Sequence, residues 1–244
     1  MSSISNALKL ITQAVAEQAT GLTFTELQER TNVPQSSAHR IVKELVKLRI
    51  LDFDPTAKTY RGGLLLATLG SQVLGEYSLR KTARVSLERL HDDLGQVVTL
   101  GIRDGISGIY VDKIESSEMG YRLHSEVGKI FPLHCTAMGK VLLAHADIDT
   151  QRKVLRKKLP PMTPQTITKP KDLQSALDRI LIDGYAIDNE EITRGLICVA
   201  APIYGVDQSV IGALSFTCQK HLFAELKRET IVEKVKSAAE YASA

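Results

Sequence analysis

Between two segments whose apolar residues recur at helical spacing, the chain reads Thr31-Asn32-Val33-Pro34-Gln35, and Pro34 limits the local fold more than any other residue. Proline has no N–H, disfavours the helical conformation for the residue before it, and fits only the first turn of a following helix. One helix must end near Thr31 and another begin near Gln35. Upstream, Ile4, Leu8, Ile11 and Val15 mark a helix over residues 4–18, stopped by Gly21. Thr25 offers an N-cap hydroxyl for a short helix through Glu26, Leu27, Gln28 and Glu29. Downstream, a longer helix runs from Gln35 to Arg49 with Ala38, Ile41, Val42, Leu45 and Leu48 on its apolar stripe. Ile50, Leu51 and Phe53 then read as a strand, Asp54-Pro55-Thr56-Ala57-Lys58 as a turn, and Thr59-Tyr60-Arg61 as the returning strand.

Helix, short helix, turn, longer helix and two-stranded ribbon is the order of a winged helix-turn-helix, whose longer helix lies in the major groove of DNA. Its first turns carry Gln35, Ser36, Ser37, His39 and Arg40, residue types that hydrogen-bond base edges. Lys43, Lys47, Lys58 and Arg61 supply candidate phosphate contacts, and Thr25 completes the DNA-facing set. The competing use of such a domain is protein contact. Arg40, Lys43, Lys47 and Arg49 against Glu44 alone favour DNA, and a net charge of +3 with a pI near 8.7 permits it.

Beyond Gly62-Gly63, the segment Leu64 to Leu74 reads as a strongly apolar helix, and Ala83, Leu87, Leu90 and Leu94 mark another. The first packs either within its own chain or against a partner chain, which would give the reader a twofold axis. From Gly95 the pattern is mixed. Val97 to Arg103 and Ser107 to Ile114 read as strands joined through Asp104-Gly105-Ile106, and Tyr121 to His124 as a third. Thr136 opens an amphipathic helix through Met138, Val141, Leu142 and Ala144. A helix containing Leu173, Leu177 and Ile180 stops at Gly184, strands follow at Tyr185–Asp188, Leu196–Ile203 and Val210–Cys218, and a last helix covers roughly Leu222 to Tyr241. This is an α+β layer fold, with an antiparallel or mixed sheet and flanking helices. The expected division is a reader at residues 1–63, a linker helix at 64–78, and an effector-binding and oligomerisation part at 79–244.

Several function classes find no support. Cys135, Cys198 and Cys218 form no C-x-x-C pair, so neither a disulfide framework nor a structural zinc site is expected, and no metal or cofactor is implied. Glycine-rich phosphate-cradling motifs are absent. No apolar window has the length of a membrane span and the amino terminus has no signal-peptide pattern, so a cytoplasmic protein is expected. Asp188-Asn189-Glu190-Glu191 resembles an acid/base cluster, but consecutive residues of an extended segment point to opposite faces, and a loop cap fits better. His134 and Cys135, with Cys198, lack an orienting third group for a thiol nucleophile. The basic run Lys153, Arg156, Lys157 and Lys158 before Pro160-Pro161 reads as a solvated helix end.

FTELQERTNVPQSSAHRIVKELVKLRIL, PLHCTAMGKVLLA, GYAIDNEEITRGLICVAAPI and GALSFT, in that order and spacing, make the chain resemble the IclR family of bacterial transcriptional regulators over nearly its full length. The resemblance implies a winged-helix DNA-binding domain, a linker helix used in dimerisation, a GAF-like effector domain, and a homodimer that pairs into a dimer of dimers on double-stranded operator DNA. Strand alternation puts Leu196, Cys198 and Ala200 on one face and Ser215 and Thr217 on one face of the neighbouring strand segment, away from Leu214 and Phe216. The helix start at Thr136-Ala137-Met138-Gly139 offers unpaired N–H groups, a natural seat for a carboxylate. By similarity to the family, Ala137, Met138, Asp188, Leu196, Cys198, Ser215 and Thr217 occupy effector-contacting positions, with Leu123 and Phe131 as apolar walls. The expectation is a ligand-responsive regulator of a catabolic operon, read as a repressor, that senses a keto acid, sugar acid or aromatic acid. The alternative is an enzyme acting on a small acid, with the helix-turn-helix as an interaction module.

Overall fold

The computed structural model describes residues 2–75, 78–116 and 125–243, and the chain divides into two compact units, Met1–Glu76 and Tyr77–Ala244. In the first, α1 (Ser3–Ala16) starts where the Ser2 hydroxyl accepts from the Ser5 N–H. The helix buries Leu10 and Ala14, whereas Ile4, Leu8 and Val15 of the expected apolar stripe stay exposed, Ile4 by 81% and Leu8 by 63%. The chain then forms β1 (Leu22–Thr23) and α2 (Phe24–Thr31).

Thr23, not Thr25, caps α2. Pairing of Leu22 and Thr23 with Tyr60 and Thr59 holds the backbone extended up to Thr23, so the helix starts earlier than expected. The Thr23 hydroxyl accepts from the Glu26 N–H while the Glu26 carboxylate accepts from the Thr23 N–H, a reciprocal capping box. Thr25 is left as an exposed residue of the first turn. At the other end Asn32 takes a left-handed conformation with φ 52°, a geometry asparagine tolerates at a helix C-cap. Val33 is buried, Pro34 sits at the N-cap position, and α3 (Gln35–Lys47) follows with Ala38, Ile41, Val42 and Leu45 inward. Its end falls short of Arg49, which takes φ 60°, and Leu48 is half exposed instead of lying on the buried stripe.

The wing is β2 (Leu51–Asp54) and β3 (Thr59–Gly62), turned by an Asp54 carboxylate that accepts from the Thr56 and Ala57 N–H groups. With β1 it makes a three-stranded antiparallel sheet in the order β1-β3-β2, one strand more than the expected ribbon. α4 (Leu64–Gly75) ends this unit and leaves Leu64, Leu69 and Val73 exposed.

The second unit runs α5 (Ser78–Leu94), β4 (Val97–Asp104), β5 (Ser107–Ile114), β6 (Ile130–Pro132), α6 (Ala137–Ala144), α7 (Ile148–Leu155), α8 (Pro170–Asp183), β7 (Ala186–Asn189), β8 (Leu196–Tyr204), β9 (Val210–Gln219), α9 (Lys220–Glu225) and α10 (Arg228–Tyr241). The six-stranded sheet has the order β6-β5-β4-β9-β8-β7, and every pairing in it is antiparallel. α5 and α10 pack on one side over Leu214 and Phe216; α6 lies on the other, with α8 against it. The strand expected at Tyr121–His124 lies outside the described residues, and β6 forms where no strand was expected. The expected single last helix is two helices, because Lys227 takes φ 62° and ends the helical series of α9.

Loss of an N-cap side chain costs about 1 kcal/mol in typical helices. Thr23→Ala should therefore destabilise the first unit by about that amount in urea unfolding, whereas Thr25→Ala should leave the midpoint nearly unchanged.

Candidate effector site and DNA-reading face

Antiparallel register lines up two rows of side chains under α6. Asp188 of β7 pairs with Cys198 of β8, which pairs with Thr217 of β9; one step along, Ala200 pairs with Ser215, which pairs with Thr99 of β4. Buried hydroxyls need partners, and each finds one across the sheet. The Thr99 and Ser215 hydroxyls lie 2.7 Å apart, and the Thr217 hydroxyl donates to the Cys198 sulfur at 3.2 Å. Thr99 also reaches the Met138 sulfur at 3.8 Å, tying the sheet to α6.

α6 starts close to the sheet because residue 139 is glycine: a Cβ there would overlap the Thr136 hydroxyl and the main chain of Pro132 and Leu133. The Thr136 hydroxyl donates to the Pro132 carbonyl and accepts from the Gly139 N–H. That cap satisfies one donor of the first turn and leaves the N–H groups of Ala137 and Met138 without an intrahelical acceptor. They border a cavity of about 40 Å³ whose other walls are Thr99, Tyr110, Ser215 and Thr217 of the sheet, Asp188, Leu196 and Cys198 beside them, and Ile192, Thr193 and Ser125 from the loops. Such a space exceeds the roughly 10–15 Å³ that one water needs.

Asp188 is the most unusual group here. It is 1% exposed; Oδ1 accepts from the Glu191 N–H at 2.6 Å, as a loop cap, while Oδ2 has no partner. Burial pushes its pKa up to about 7, against the opposing pull of the Glu191 N–H and the Lys140 ammonium. Burial also raises the Tyr110 phenol, pushes the Cys135 thiol up to about 12 and lifts Cys198 well above the usual thiol range, while it lowers His134, whose Nε2 lies 3.0 Å from the Pro160 carbonyl. With its thiols protonated and His134 neutral near pH 7, the site lacks the thiolate that a cysteine nucleophile requires.

Of the residues expected from sequence, Ala137, Met138, Asp188, Leu196, Cys198, Ser215 and Thr217 line this cavity. Phe131 does not. Its ring packs against Gly101 and Gly108, which have no Cβ to obstruct it, and 4.5 Å from the Tyr110 ring. Leu123 lies outside the described residues. Thr99 and Tyr110 escaped the sequence reading: only the pairing of β4 with β9 and of β5 with β4 brings them under α6.

On the first unit, Gln35, Ser36, His39, Arg40 and Lys43 are exposed along α3, with Ser37 half-buried, and Lys58 is exposed at the wing turn. The His39 ring stands edge-on to Phe24, with centroids 5.7 Å apart. Arg61 is half-buried and donates to the Thr20 carbonyl at 3.4 Å, so its guanidinium braces the wing. α3 begins without a side-chain cap, which leaves its first N–H groups open to an anion.

Residues 71–244 match the family described as bacterial transcriptional regulator IclR C-terminal, and residues 3–55 match the IclR helix-turn-helix domain. The chain belongs to the IclR family. It is 33% identical over 216 residues to the HTH-type transcriptional regulator XynR of Escherichia coli, covering 88% of this chain and 85% of XynR. With the HTH-type transcriptional regulator KdgR of the same organism it shares 31% identity over 245 residues, 99% of this chain and 92% of KdgR. An IclR homolog from Microbacterium hydrocarbonoxydans, solved in complex with 4-hydroxybenzoate, superposes with a TM-score of 0.84 at 25% identity, over 99% of this chain and 98% of that one. The protein is thus a DNA-binding transcriptional regulator and not an enzyme.

The raised pKa of Asp188 has a consequence for stability. Between about pH 4 and about pH 7 the unfolded chain ionises Asp188 while the folded chain keeps its proton, so the folded state binds more protons and this group's contribution falls as pH rises. Asp188→Asn should accordingly raise the melting temperature relative to the parent protein more at about pH 8 than at about pH 5. An equal effect at both values would mean that Asp188 titrates as an ordinary carboxylate.

Proposed function

We propose that this IclR-family protein is a ligand-responsive repressor of a catabolic operon, and that a small organic acid in the cavity under α6 changes the affinity of the reader for operator DNA. The observation that carries this reading is that one cavity is lined both by Asp188, whose Oδ2 has no partner, and by Ala137 and Met138 in the first turn of α6. The N–H groups suit a carboxylate, and a carboxyl group such as Asp188 suits a second polar group on the same small molecule. Keto acids, sugar acids and aromatic acids all have that form. The 4-hydroxybenzoate complex of the Microbacterium homolog supports the aromatic class.

In this reading, residues 1–63 are the reader, 64–78 the linker and 79–244 the effector and assembly part. Gln35, Ser36, Ser37, His39 and Arg40 face base edges, with Lys43, Lys58, Arg61 and Thr25 toward the phosphates. The protein acts in the cytoplasm, where operator DNA is; among the described residues no helix is long and apolar enough to cross a membrane. A homodimer, paired into a dimer of dimers, is supported by the apolar surface of the first unit. Ile4, Leu8 and Val15 of α1 and Leu64, Leu69 and Val73 of α4 are exposed, apolar area that a second copy would cover.

Two measurements test the proposal. Arg40→Ala should weaken specific operator binding by about 1–3 kcal/mol, and Lys43→Ala should weaken binding to all sequences alike and reduce the salt slope by about one; unchanged operator affinity removes Arg40 from the reading role. In thermal unfolding against keto, sugar and aromatic acids, an effector at a hundred times its dissociation constant should add about 2.7 kcal/mol to the native state. That gain should vanish in Asp188→Ala, and a gain that persists places the acid elsewhere.

A further inference from the structure

We propose that the buried ion pair of Lys140 and Glu191 is a positioning device beneath the acid site: it holds Asp188 with one carboxylate oxygen unpaired toward the cavity, and so makes the site discriminate between acids that bear a hydroxyl and acids that bear only a carbonyl. The inference rests on the acid-site reading above and adds to it the chemistry that decides among acids.

Lys140 lies in α6 and is 3% exposed; its ammonium donates to the Ile187 carbonyl at 2.7 Å and pairs with the Glu191 carboxylate, itself 5% exposed. Two charges so deeply buried are costly to hold except as partners. The pair clamps the chain on both sides of Asp188, at Ile187 before it and at Glu191 after it. From outside, the Thr163 hydroxyl donates to the Glu190 carbonyl and the Thr166 hydroxyl to the Glu191 carbonyl, both at 2.6 Å. These contacts fix the loop so that the Glu191 N–H occupies Asp188 Oδ1 and leaves Oδ2 without a partner, on a residue that lines the cavity.

The groups facing Asp188 are Lys140 from α6, Glu191 from its own loop, Cys198 from β8, Tyr110 from β5, and Cys135 from the segment before α6, while His134 of that segment faces the Lys140–Glu191 pair. The thiols and phenol stay neutral because burial raises them, and His134 stays neutral because burial lowers it. Burial opposes the charge on Asp188 and the Glu191 N–H favours it; of the charged side chains that face it, the Lys140 ammonium favours ionisation and the Glu191 carboxylate opposes it. Ionised, Asp188 only accepts, and it fits the hydrogen of a ligand hydroxyl. Protonated, it donates, and it fits a ligand carbonyl. Hydroxy acids gain as pH rises through the Asp188 titration and keto acids gain as it falls.

The test follows the side-chain carboxyl carbon of Asp188 by NMR in the full protein carrying 13C-labelled aspartate, its signal assigned by loss in Asp188→Asn. Lys140→Met should move the titration midpoint up by about one pH unit or more, and Glu191→Gln should move it down. Unmoved midpoints, or shifts in the same direction such as a general loosening would give, overturn the proposal. Saturating lactate should lower the midpoint and saturating pyruvate, its keto counterpart, should raise it; equal effects of the two overturn the discrimination. Opposite shifts in the variants with no response to either acid would instead overturn the acid-site reading and leave the ion pair's hold on Asp188 standing.

Discussion

Polar side chains on the α6 face of the sheet are shut away from water, and a buried polar atom without a partner is costly. That constraint shapes the second unit. Thr99 and Ser215 satisfy each other, Thr217 takes the Cys198 sulfur, Thr136 closes the first turn of α6, and Lys140 is paired with Glu191. Against so thorough a pairing, the unpaired Asp188 Oδ2 at a cavity stands out, as does the neighbouring Glu191 Oε2. A site that leaves such an acceptor open is less stable than it would be with the group replaced, and in the proposed function the acid bound there accounts for its retention.

The first unit answers a different constraint. Its core is small, built from Leu10, Ala14, Leu27, Ile41, Val42, Leu45 and Leu51 among others, and it leaves an apolar stripe of α1 and most of α4 in solvent. For a monomer this would be a liability; in the proposed homodimer it is the material of an interface. The face proposed to read DNA is the opposite in character, with exposed polar and basic residues on α3 and at the wing turn.

Local signals in the sequence were enough for the order of helices and wing strands in the reader, though not for β1. Pro34 and Asn32 separate α2 from α3, and alternation and turn residues locate β2, β3, β4 and β5. Where the sequence reading failed, the deciding partner was distant. Thr23 rather than Thr25 caps α2 because β1 pairs with β3, whose strand lies far along the chain. β6 has only Ile130 to Pro132 to show for itself and exists because β5 accepts it. In the site, alternation placed Ser215, Thr217 and Cys198 on one face, but Thr99 and Tyr110 required the strand order, and Phe131 was drawn behind the cavity by the bare surfaces of Gly101 and Gly108. Lys140 carried no sequence signal of burial, since a lysine in an amphipathic helix ordinarily faces water.

The most direct measurement is operator affinity of the full protein, on a DNA fragment it selects from a random pool, with and without the acid that raises its melting temperature most. Coupling between sites is typically worth about 1–3 kcal/mol, so the acid should change operator affinity about 5- to 150-fold, and Asp188→Ala should abolish the change while leaving unliganded operator binding intact. An acid that binds in the cavity yet leaves operator affinity unchanged would contradict the reading of this protein as a regulator governed by that site.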